Sequence, residues 1–382
     1  MLVLYPTPTI MVKVMPNHPF PRPHFAEMPP YKPVQPFEVR AAELGMRADQ
    51  ILKLDANENP YGPSPLARRA LANLQYAHIY PDPESRALRR ALAEFTGVPP
   101  ENLLVGAGAD ELLDLLTRVM VGANEAVITL PPTFGMYSFD TLLNAGSVIA
   151  VPRRKFALDL AAIRRAVEEH HPKLLFIAAP NNPDGSLPPR ETLKALLDLP
   201  TLVVVDEAYI EFADDALGRT LSLVVEVPRR ENLVVLRTFS KWGGLAGLRV
   251  GYGAFPNWLM PILWKAKQPY NVSVAAQEAA LATLSDLEER SLVVSHLRNE
   301  RERLYRALQE IPYLEPYPSR ANFILCRVRG CSAAELQRTL AEKHGILVRH
   351  FAKRGLEDHI RISVGKPSNT ERLTAALKAL GC

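Results

Sequence analysis

Between residues 102 and 236 the chain repeats one pattern: a short unbroken apolar run, a turn of small or polar residues, then a stretch of helical period. The apolar runs fall at 102–105, 126–129, 148–151, 174–178, 202–205 and 233–236, with amphipathic stretches at 112–120, 137–143 and 160–169 between them. Runs without polar alternation belong to strands buried on both faces, and helical crossovers make such strands parallel. The pattern predicts an α/β fold whose mostly parallel sheet is covered by helices. A chain of 382 residues exceeds one ordinary domain. Strands expected at 322–328, 346–348 and 360–364, with helices at 333–344 and up to Leu380, predict a smaller α+β unit reached through a helix at 287–308.

The unusual residues gather at one edge of the predicted sheet. Gly106 to Asp110, Pro131 to Phe134, Asn181-Asn-Pro183, Asp206 to Tyr209 and Ser240-Lys241 each lie just beyond the carboxyl end of an expected strand. That edge is where open parallel sheets bind ligands. Lys241 is preceded by the hydroxyls of Thr238 and Ser240 and followed by Arg249, while Gly243, Gly244 and Gly247 leave room for a ligand against the backbone. A lone lysine in a loop is ordinarily a solvated charge. This group instead suits an anionic cofactor that the lysine bonds covalently, as pyridoxal 5′-phosphate (PLP) requires. A strand, Gly turn and helix at 102–120 could hold a phosphate on the N–H groups of Ala109 and Asp110. Asp206, ending an apolar strand, either caps the next turn or holds a cation, and burial argues for a cationic partner.

Thr238-Phe-Ser-Lys241 with Gly247-Leu-Arg-Val-Gly-Tyr252 resembles the cofactor-lysine segment of class I/II aminotransferases of PLP fold type I. Leu54-Asp-Ala-Asn-Glu-Asn-Pro-Tyr-Gly-Pro-Ser-Pro65 is similar to the early signature of the histidinol-phosphate branch of that family. The resemblance, spanning about Tyr31 to Arg361, implies residue roles. Lys241 bonds the cofactor, Asp206 holds its pyridine nitrogen, Tyr209 and Asn182 donate to its phenolic oxygen, and Phe134 stacks on its ring where the family often has tyrosine. Thr238, Ser240 and Arg249, with the turn at Ala109 and Asp110, bind its phosphate. Arg361 and Arg349 meet the anions of the substrate, and Asn182 faces it as well. Tyr31 and Tyr80 would reach into the neighbouring subunit's site, toward substrate and cofactor phosphate respectively; packing explains either tyrosine nearly as well. Asp184 stands where the family usually has threonine, and Trp242-Gly243 where it often has Ala-Phe.

The implied architecture is a proline-rich arm (1–30), an N-terminal part of the small domain with a dimer arm (31–56), a large PLP-binding domain (57–282) and a small C-terminal domain (283–382). The implied reaction is L-histidinol phosphate plus 2-oxoglutarate giving imidazole-acetol phosphate and L-glutamate. An aromatic amino-acid transaminase and a threonine-phosphate decarboxylase share the motifs and stay open as alternatives. A PLP-sensing regulator would need a DNA-binding domain, which about 30 proline-rich residues cannot supply. A net charge of +4 without basic runs gives no reason to expect nucleic acid or membrane partners. Cys326, Cys331 and Cys382 have no metal-ligand spacing and read as structural in a reducing compartment. Prolines break the apolar start, leaving neither a signal-peptide core nor a membrane span, so a cytoplasmic location is expected; the resemblance implies a homodimer that uses no metal.

Overall fold

The computed structural model describes residues 21–26, 28 and 33–381. A first strand, β1 (Leu52–Leu54), precedes seven that form the larger sheet: β2 (Leu103–Gly106), β3 (Ala126–Thr129), β4 (Ser147–Ala150), β5 (Leu174–Ala178), β6 (Leu202–Asp206), β7 (Leu233–Thr238) and β8 (Gly251–Ala254). Their order is β2-β8-β7-β6-β5-β3-β4. All neighbours are parallel except β8, which runs antiparallel to both β2 and β7. Every residue of β5, β6 and β7 is buried, as expected of strands covered on both faces, and polar residues enter only at the carboxyl ends of β6 (Asp206) and β7 (Arg237, Thr238).

Strand β8 was not legible in the sequence. It reads Gly-Tyr-Gly-Ala, and glycine is a poor strand former. Tight packing demands it here: a Cβ on Gly251 would lie 2.6 Å from the Ala109 nitrogen, and one on Gly253 2.6 Å from the Phe255 ring.

The second sheet combines β1 with β9 (Leu314–Pro316), β10 (Phe323–Val328), β11 (Ile346–His350) and β12 (His359–Ser363), in the order β1-β11-β12-β10-β9. Only the β1–β11 pair is parallel. A helix at Leu287–Gln309, about 35 Å long at 1.5 Å per residue, links the two parts and buries Val293, Leu297, Leu304 and Leu308. Between the sheets runs the segment Asp55–Asn59. It follows β1 and leads to the helix Pro65–Ala72, where Ser64 accepts the Ala67 N–H at 3.1 Å and Pro65 takes the first position. Among the described residues no helix is long and apolar enough to cross a membrane. Cys326 is a buried free thiol, but Cys331 is disulfide-bonded, against the reading of these cysteines as reduced.

Candidate active site

A cleft open to solvent lies at the carboxyl ends of the parallel strands. Its lining includes Ala109, Asp110, Phe134, Asn182, Asp206, Tyr209, Thr238, Ser240, Lys241 and Arg249, so residues from five separate turns converge on one site. The convergence follows from topology. Parallel strands all end at the same edge, and each loop after them delivers its polar residues there.

At the floor, Asp206 closes β6 and is 6% exposed. Its carboxylate accepts the Tyr137 hydroxyl at 2.7 Å and the Ala208 N–H at 3.0 Å. Burial pushes its pKa up to about 6, against the opposing pull of those two hydrogen bonds. Among the described residues a hydroxyl and an amide hold it, and the cation expected beside it is the cofactor's protonated ring nitrogen. Tyr137 was missed as a site residue. It lies three residues beyond Phe134, in the first turn of the helix Met136–Leu143, and their rings meet edge to face at 5.6 Å. The Tyr137 ring also stacks on Phe176 at 4.9 Å.

Lys241 follows β7, and its Nζ donates to the Ala56 carbonyl at 3.0 Å. Burial lowers its pKa to about 8, helped by the positive charges of Arg361 and Arg249. The Tyr209 hydroxyl accepts from Asn57 Nδ2 at 3.1 Å, and the Tyr209 ring centre lies 5.9 Å from the lysine nitrogen. Burial raises the pKa of Tyr209, which keeps its proton available for donation.

Opposite this face the Thr238 and Ser240 hydroxyls bond at 2.9 Å, and Arg249 reaches Ser240 Oγ at 3.4 Å and Asp110 at 2.8 Å. The helix Ala109–Met120 begins here with Gly108 as its N-cap. Gly108 has a φ of +84°, and a Cβ there would lie 2.5 Å from Arg249 Nη2. Two hydroxyls, a guanidinium and a helix N-terminus make an anion cradle that a side chain at position 108 would fill.

Arg361, on β12, donates to Asn182 Oδ1 at 2.6 Å and to the Asp55 carbonyl at 2.8 Å. Across the ladder it faces Arg349 on β11. Like charges directly opposite on a sheet repel, so the pair is suited to an anion. Arg349 lies outside the main cleft and lines an adjoining groove with Arg40, Asp55 and His350. Tyr80 is also outside the cleft, 79% exposed and stacked on Tyr270 at 4.6 Å. Tyr31 lies outside the described residues. The two departures from the family pattern are structural. Asp184 is buried and accepts from Asn181 and the Ser186 N–H, closing its turn, and Trp242 packs between Phe95 and Phe239.

The donor set fits PLP: a lysine nitrogen in the cleft, a buried carboxylate lacking a described cation, a hydroxyl donor beside the lysine, and an anion cradle. Fold and site together define a PLP-dependent enzyme of fold type I. The model of the family "Aminotransferase class I and II" matches residues 49–377. The chain is 50% identical over 361 residues to the chloroplastic histidinol-phosphate aminotransferase of Nicotiana tabacum, covering 94% of this chain and 86% of that one. It is 49% identical over 367 residues to the histidinol-phosphate aminotransferase of Roseiflexus castenholzii, covering 94% and 97%. Among solved structures it superposes on the PLP complex of histidinol-phosphate aminotransferase from Sinorhizobium meliloti with a TM-score of 0.87 and 29% identity, covering 96% and 98%. The chain belongs to the class I and II aminotransferases, in the histidinol-phosphate branch of that family.

Proposed function

We propose that this chain exchanges an amino group between L-histidinol phosphate and 2-oxoglutarate, giving imidazole-acetol phosphate and L-glutamate. The observation that carries the reading is the convergence of Lys241, Asp206, Tyr209 and the cradle of Thr238, Ser240 and Arg249 on one cleft. Half-identical relatives bearing that activity in their names support the substrate.

PLP, when bound, supplies the electron sink that accepts the charge left at the substrate Cα. Asp206 would keep a proton on its ring nitrogen through a charge-assisted hydrogen bond. Tyr209 and Asn182 would donate to its phenolic oxygen, and Phe134 would stack on its ring. Arg249, Ser240, Thr238 and the N–H groups of Ala109 and Asp110 would hold its phosphate. Lys241 removes the proton from the substrate Cα; a pKa near 8 suits a base working near neutrality. Histidinol phosphate has no α-carboxylate, so Arg361 and Arg349 take its phosphate in one half-reaction and the carboxylates of glutamate in the other.

The working unit is a homodimer in which Tyr80 reaches the neighbouring site. The exposed apolar cluster of Tyr76, Ile79, Tyr80 and Tyr270 supports this. The deciding measurement is kcat/KM for histidinol phosphate against phenylalanine, tyrosine and threonine phosphate, with 2-oxoglutarate as acceptor. Preference for an aromatic acid, or release of carbon dioxide from threonine phosphate, would overturn the substrate assignment.

A further inference from the structure

Tyr209 reaches the cleft from a loop of the larger sheet, but the group that holds its hydroxyl belongs to neither sheet. Asn57 lies in the segment between them, with φ at +56°, a left-handed conformation that asparagine tolerates better than most residues. Three hydrogen bonds fix it from the small sheet's side. Its N–H donates to Ser363 Oγ at 2.8 Å, its Oδ1 accepts the Ser363 hydroxyl at 3.1 Å, and its carbonyl accepts Asn322 Nδ2 at 2.9 Å.

These bonds determine which way the Asn57 amide faces. Ser363 is 2% exposed, and its hydroxyl has one hydrogen, which goes to Asn57 Oδ1. Turning the amide over would leave that hydrogen without an acceptor among the described bonds, a cost a buried hydroxyl avoids. Asn57 Nδ2 therefore points at Tyr209 and donates to its oxygen. A phenol has one hydrogen of its own, and with this donor already on one side that hydrogen turns the other way, into the cleft.

We propose that Asn57 and Ser363 form a positioning relay that aims the Tyr209 hydroxyl proton at the cofactor's phenolic oxygen. This rests on the reading of Tyr209 given above. Ser363 stands two residues beyond Arg361 on β12, so both side chains share one face of the strand. The strand that presents Arg361 to the substrate thus also closes the relay, tying the place of the small sheet to the cofactor's electronic state.

The test is a pH titration of the visible absorption band of the PLP-loaded enzyme in wild type, Tyr209→Phe, Asn57→Gly, Ser363→Ala and the Asn57→Gly/Tyr209→Phe double variant. Glycine accepts the left-handed backbone at position 57, so Asn57→Gly removes the amide without forcing the chain. Ser363→Ala is the second route should that variant fold poorly. Arg361, Asp206, Asp110 and Lys241 surround Tyr209 in every variant, so their charges cancel in the comparison. A donor to the anionic oxygen favours that form, so losing it raises the midpoint. Tyr209→Phe is expected to raise it by about one pH unit and each relay variant by roughly half a unit, with Asn57→Gly adding nothing on top of Tyr209→Phe. Midpoints unchanged in both relay variants while Tyr209→Phe shifts, or an equal Asn57→Gly shift in both backgrounds, would overturn the relay alone. An unmoved midpoint in Tyr209→Phe would remove Tyr209 from the cofactor, and the relay with it.

Discussion

Replacing Asp206 by asparagine should stabilise the cofactor-free protein at neutral pH while disabling the enzyme. The carboxyl is buried, and its folded pKa is about 6 against about 3.9 for a free aspartate. A folded pKa above the unfolded one means the native state prefers the protonated form. The group's stabilising contribution is therefore complete below about pH 4 and is lost as pH rises through 6. A difference of about two pH units is worth about 3 kcal/mol. Asparagine does not titrate, and its Oδ1 still accepts the Tyr137 hydroxyl, but the hydrogen bond from the Ala208 N–H is lost at about 1 kcal/mol. Cofactor-free Asp206→Asn should thus be about 2 kcal/mol more stable than wild type at pH 8 and about 1 kcal/mol less stable at pH 4. With an unfolding entropy of about 0.8 kcal/mol/K for a chain of this size, Tm rises by about 2 to 3 °C at pH 8. The assay is thermal unfolding of both proteins, stripped of PLP, from pH 4 to 8. Adding PLP should then stabilise wild type more than the variant, because only the carboxylate offers charge to the ring nitrogen. A stability difference that stays flat across that pH range would refute the account of Asp206.

Three further outcomes follow from the same geometry. Lys241→Ala should abolish amino transfer while leaving the protein folded, and should not lower Tm below pH 8, since burial disfavours the charged lysine in the fold; residual transamination would remove Lys241 from the chemistry. Covalent capture of PLP by the cofactor-free protein, followed by borohydride reduction, should rise with pH to a midpoint near 8 as Lys241 deprotonates, and a midpoint near 10 would show an ordinary lysine. Glu211→Ala should cost about 3 to 5 kcal/mol in urea unfolding, because it strands Arg237, which is 1% exposed and pairs with Glu211 at 2.8 Å; near-wild-type stability would show that the pair is not what holds β7.

The site was legible to the extent that it is local in sequence. Lys241, Thr238, Ser240 and Arg249 lie within twelve positions of one another around one strand end, and Asp206 and Tyr209 share another. Tyr137 and Asn57 were not read as site residues. The value of Tyr137 is a hydrogen bond to a residue 69 positions away, and that of Asn57 a bond to one 152 positions away. Strands β8 and β9 escaped notice because glycine and proline oppose strand formation, and only packing overrides that preference.

The sequence by itself determined the layered architecture, because a buried parallel strand must be apolar throughout and a covering helix must be amphipathic, and both demands are written residue by residue. It also determined at which edge the candidate site lies, since parallel strands end together. Tertiary structure alone decided the chemistry of the floor and the wiring of the cleft. Asp206 owes its pKa near 6 to burial and its restraint to Tyr137, and Arg361 meets Arg349 only because β11 and β12 pair in that register. Charge, burial and hydrogen-bond direction depend on distances between atoms that the chain brings together from far apart, and no local pattern of residues encodes them.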